Sequence, residues 1–105
     1  MLNFSEAEKP AIAISQYYCQ KLKSPKAEDF FSGKISLSTK AEALEIAKVF
    51  WDITELASAD HLNDVVILDD VDIEFWMYKL FNKTHGYFQK NGFSEEWKQA
   101  ETDHS

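Results

Sequence analysis

Apolar residues recur every three or four positions along most of this 105-residue chain, the spacing that draws one stripe along a helix. Ala11, Ile14, Tyr18 and Leu22 form the first stripe. Ser5 and Glu8 ahead of it have capping-box spacing, in which each side chain satisfies a free backbone N–H of the first turn. Pro10 has no N–H to give and suits a helix start. The stripe predicts a helix ending near Lys23, before Ser24-Pro25. That dipeptide opens a second, short helix carrying Phe30 and Phe31, with Gly33 to close it. Thr39 and Glu42 repeat the capping-box spacing before "KAEALEIAKVFWDITELAS", residues 40–58, where Ala43, Ile46, Ala47, Phe50, Ile53, Thr54 and Ala57 share a face. At 1.5 Å per residue this spine spans about 28 Å.

Downstream the pattern is less regular. The run Val65-Val66-Ile67-Leu68 has strand propensity, but its one candidate partner, "GKISLS" at residues 33–38, is equally short. A helical turn or an extended loop near residues 64–69, packing its Val and Leu inward, is the expectation. Asp70 or Asp72 then offers an N-cap to "VDIEFWMYKLFNKTHGYFQK", a long helix stopped by Asn91-Gly92. Ser94 caps a last short helix, "EEWKQAE", ahead of a polar tail at about residues 101–105. In all, the pattern predicts one all-α domain over residues 1–105, a bundle of about four to five helices.

Composition agrees. Eight Phe, four Tyr and three Trp supply a core, and three Gly with two Pro are too few for the frequent turns of an all-β protein. No apolar run reaches membrane-spanning length. The N-terminal "MLNFSEAEKP" shows neither a basic flank nor an apolar signal segment, so a cytosolic protein is expected. The one cysteine, Cys19, reads as a small buried apolar residue.

Charge divides the chain. The net charge is −7; residues 1–50 hold seven Lys and six acids, whereas residues 51–105 hold four Lys and twelve acids. From Val49 to Tyr78 eight acids occur without a lysine, and arginine is absent throughout. Such a surface disfavours direct contact with nucleic-acid phosphates or an anionic membrane. Arginine clamps on phosphate are excluded.

The acids concentrate in "DHLNDVVILDDVDIEFW", residues 60–76: Asp60, Asp64, Asp69, Asp70, Asp72 and Glu74. Counted from Asp70, a calcium loop would need Gly at its sixth position and Glu at its twelfth. Those positions are Phe75 and Phe81, so that reading fails. His61, His85, His104 and Cys19 lack the paired spacings of a zinc site, and neither metal nor cofactor is expected. Catalysis by carboxylates with His61 or His85 would need a pocket converging on one of them. The acids also run directly into "IEFWMYKLF". Ile73, Met77, Leu80, Phe81 and Phe88 fit one core-facing stripe, which leaves Phe75, Tyr78 and Trp76 either to pack under the other segments or to sit partly exposed beside the acids. Aromatics rimmed by charge are what protein interfaces use.

The sequence therefore points to a non-enzymatic acidic protein that docks on a basic protein through Asp60, Asp64, Asp69, Asp70, Asp72, Glu74, Phe75, Trp76 and Tyr78. Its most concrete form is an immunity or antitoxin protein occluding the substrate surface of a nuclease-type toxin. In size and acidity the chain resembles bacterial immunity proteins, with no motif in common. A DNA-mimicking phage inhibitor, a helical assembly or adaptor subunit, and a small enzyme using carboxylates with His61 or His85 are the alternatives.

Overall fold

The computed structural model describes residues 1–69 and 71–104. Among them a 3₁₀ turn, Glu6–Glu8, leads into α1 (Lys9–Lys21), followed by α2 (Pro25–Phe31), α3 (Lys40–Leu62), α4 (Ile73–Lys90) and α5 (Ser94–His104); no strand forms. The all-α bundle is thus as the periodicity requires. No helix among the described residues is long and apolar enough to cross a membrane.

The predicted signals begin the helices. Ser5 and Glu8 form their capping box around the 3₁₀ turn, ahead of α1. At α3 the Glu42 N–H donates to Thr39 Oγ1 over 3.1 Å, while Ser38 N–H and Oγ–H donate to Glu42 Oε1 over 3.0 and 2.8 Å. Asp72 caps α4, accepting from the Phe75 N–H. Asp70, the other candidate cap, lies outside the described residues.

One device ends α1, α2, α3 and α4. After each, a residue at positive φ turns the chain: Lys23 (55°), Gly33 (81°), Asp64 (54°) and Gly92 (77°). The next N–H reaches five residues back, as Ser24 to Cys19 O, Lys34 to Asp29 O, Val65 to Asp60 O and Phe93 to Phe88 O. This is the Schellman closure, for which Gly is the usual residue. Lys23 and Asp64 adopt it with a Cβ, and that is why α3 overran the predicted end. Nothing in Ala59-Asp60-His61-Leu62 breaks a helix, so α3 runs four residues past Ser58 until Asn63 and Asp64 stop it.

α3 is the spine and packs on α1, α2, α4 and α5. Its Ile46, Phe50 and Ile53 are fully buried with Ile14 and Tyr18 of α1, Phe30 and Phe31 of α2, and Leu80 and Phe88 of α4. Phe30 meets Tyr87 edge-on at 5.0 Å between ring centroids, and Phe50 meets Trp97 of α5 at 5.0 Å. The segment after α2 is not a strand. Buried Leu37 donates its N–H to Tyr87 Oη over 2.9 Å, which fastens this connection to α4.

Three local expectations are corrected. Val65 and Val66 face solvent, 41% and 75% exposed, and only Ile67 and Leu68 pack against the core; the α3 stop at Asp64 sends the first two residues outward. Met77 and Phe81 are half-buried, whereas Thr84 and Tyr87 complete the buried stripe of α4. The C-terminal segment is helical through His104, because Trp97 and Ala100 hold α5 on α3.

Candidate functional site

A groove of about 540 Å³ opens between the C-terminal turns of α3 and the first turns of α4. Thr54, Ala57, Ser58, His61 and Leu62 line it from α3, and Ile73, Glu74, Met77 and Tyr78 from α4. Its existence follows from local sequence. Ala57 and Ser58 put small side chains on this stretch of α3, and its four extra residues add His61 and Leu62 to the lining.

The floor is apolar and the rim is mixed. Leu62 is 81% exposed and Tyr78 63%, a large apolar outlay for so small a domain. Phe75, one turn before Tyr78, is half exposed, and the Lys79 ammonium lies 5.5 Å from its ring centroid. On the rim His61 Nε2 and Glu74 Oε2 stand 3.0 Å apart, both open to water, and link the end of α3 to the start of α4.

The acids of the sequence do not act as one patch. Asp60 turns inward, its Oδ2 accepting from Tyr18 Oη–H over 2.8 Å. Burial, and then the bond to Asp60, push the Tyr18 phenol far above its ordinary range. Asp64 takes the positive-φ position that stops α3 with its side chain exposed, and Asp72, also exposed, caps α4. Asp69 is exposed, as is Glu74, while Asp70 falls outside the described residues. Trp76 is not a free anchor either; it is half-buried against the core. Of the nine predicted docking residues, the groove itself contains Glu74 and Tyr78, with Phe75 close along α4.

Leu62 and His61 reach the groove because α3 runs past Ser58, where the apolar stripe predicts its end. The signal was present, as no Gly, Pro or Asn occurs between Ser58 and Asn63. His85, the other candidate for catalysis, stacks on Trp97 at 5.4 Å between ring centroids and lies against Phe81. Cys19 is buried in α1, which pushes its thiol up to about 12; it is core, as its place in the stripe predicts. Ligating side chains also converge elsewhere: Asp52 and Glu55 of α3 meet His104 of α5.

Compared with known proteins, the chain matches no family profile, no curated protein and no solved structure.

Proposed function

We propose that this protein works by occupation, its α3–α4 groove seating an apolar, lysine- or arginine-bearing segment of a basic partner protein. The observation that carries this reading is the coincidence of open apolar side chains, Leu62, Phe75 and Tyr78, with the exposed Glu74 in the groove lining and with the acid excess of residues 51–105, twelve acids against four lysines. Large aromatic and aliphatic anchors in a groove supply slow dissociation. The surrounding negative potential steers a basic partner and rejects acidic ones. The rim contact of His61 with Glu74 is open to water, so it serves recognition better than proton transfer, which relies on a shielded pair.

The concrete version is a toxin inhibitor. Nucleases read phosphates with basic surfaces, and carboxylates at a groove mouth occupy such a surface without offering a scissile bond. An immunity or antitoxin role would need no cofactor and no turnover.

The test starts with the purified protein as bait in lysate of its source cells, with low-salt and then high-salt washes. The retained protein is identified, purified and rebound, and its nuclease activity is measured with and without this chain. A basic partner whose binding falls roughly tenfold or more with Leu62→Ala plus Tyr78→Ala is the expected result. Asp69→Lys plus Glu74→Lys, which spares the Asp72 cap, should weaken binding chiefly at low salt. An acidic partner, or a groove variant that is folded by circular dichroism and binds like the parent, would overturn the reading.

A further inference from the structure

Away from the groove, α3 and α5 bring together a donor set that no local spacing announces. Asp52 and Glu55 stand about one turn apart on α3, and His104 lies between them from the last turn of α5. His104 Nδ1 is 3.4 Å from Asp52 Oδ1, and His104 Nε2 is 3.1 Å from Glu55 Oε2. One ligand atom from each residue falls within 4.8 Å of those of the other two. The nearby Lys48 ammonium is directed to Asp103 Oδ2, at 3.7 Å.

We propose that Asp52, Glu55 and His104 form a site for a borderline divalent ion of the zinc type, which clamps the end of α5 to α3. Three observations support it, and they do not depend on the groove. The set is mixed, and its imidazole arrives from a different helix than its carboxylates. Nitrogen beside carboxylate oxygen suits zinc and its neighbours, whereas calcium and magnesium prefer oxygen alone. The reach is also right. Donors sharing one zinc at about 2.1 Å stand roughly 3–4 Å apart, a separation that one ligand atom from each residue, all within 4.8 Å of one another, approaches. Asp52 and Glu55 face different nitrogens of the ring, so one of these exposed carboxylates, 53% and 72% open, has to swing to the other's side to share the ion. His104 is the least exposed of the three side chains at 26%, and all three residues lie at the surface.

One imidazole nitrogen and the two carboxylates make three protein ligands, and water completes the shell as in open zinc sites. The other ring nitrogen keeps its proton.

The chain, stripped with chelator and dialysed, is titrated with zinc chloride by calorimetry at pH 7.5, and His104 is followed by imidazole NMR. One zinc per chain and broadening or shifting of the His104 resonances are expected. His104→Ala should weaken binding by about tenfold or more, as should Asp52→Asn plus Glu55→Gln, while His61→Ala leaves it unchanged. Absence of saturable binding would overturn the proposal and leave Asp52, Glu55 and His104 as a side-chain contact between α3 and α5 alone. Equal affinity in His104→Ala, or loss in His61→Ala, would overturn it by placing the ion at the groove rim.

Discussion

Asp60 shows how one residue changes meaning between sequence and structure. In the sequence it is the first of six clustered acids. In the fold its carboxylate accepts a hydrogen bond from the Tyr18 hydroxyl, on a side chain with no exposed surface. A buried hydroxyl left without a partner costs about 1–3 kcal/mol. Asp60→Ala is therefore expected to destabilise the protein by roughly that amount. Asp60→Asn keeps an acceptor oxygen and should cost clearly less; urea unfolding of the two variants checks both. Equal, negligible losses would return Asp60 to the docking surface. Gly33 is a second such residue. Its φ of 81° already favours glycine, and a Cβ there would lie 2.6 Å from the Leu2 carbonyl oxygen. Gly92, at φ 77°, has open space at the same point. Gly33→Ala should accordingly lower the unfolding midpoint more than Gly92→Ala, because it adds a backbone clash to the shared conformational cost of about 1–2 kcal/mol.

At the scale of the element, caps and stops set lengths, and Glu42 is the most heavily used cap. Hydrogen bonds from Ser38, then the Lys26 ammonium at 3.1 Å, hold its carboxyl down at about 2, against an ordinary 4.5. The folded chain thus holds this proton less tightly than the unfolded chain does, so acid favours unfolding. Glu42's contribution is whole above about pH 4.5 and disappears as pH falls towards 2. In Glu42→Gln that titration is gone. Its denaturation midpoint should fall less steeply than the parent's between pH 5 and about 2.5, although Gln still serves a capping box. Parallel acid limbs would remove Glu42 from the acid sensitivity of the fold. The same network reaches Lys26 on α2, so the start of α3 is tied to its neighbour by more than burial.

For the molecule as a whole, the open question is what covers Leu62, Phe75 and Tyr78. A second copy is a poor candidate, since it would bring another net −7 and the same acidic rim. Self-association should be suppressed by that repulsion within about 10 Å at 0.1 M salt. Sedimentation at micromolar concentration and low ionic strength is expected to report a 12.1 kDa monomer. A stable low-salt dimer, lost on Leu62→Ala plus Tyr78→Ala, would reassign the groove as a homodimer interface.

The sequence by itself determined the helices and most of their ends. Capping boxes, apolar stripes and Asn-Gly or Ser-Pro boundaries are local, and local hydrogen bonds carry them out. The stripe of α4 left Phe75, Trp76 and Tyr78 either under other segments or open, and packing made the choice, with Phe75 and Tyr78 open and Trp76 half-buried. Tertiary structure decided the rest. Which acids are spent on Tyr18, on a helix stop or on a cap depends on what lies beside them. Leu62 became a groove residue only when Asp64, at positive φ without being glycine, took over the ending of α3. Asp52, Glu55 and His104 lie up to fifty-two positions apart in the chain. Only the packing of α5 along α3 makes them neighbours, because contact across a bundle is set by the burial of Trp97 and Ala100 and leaves no spacing in the sequence.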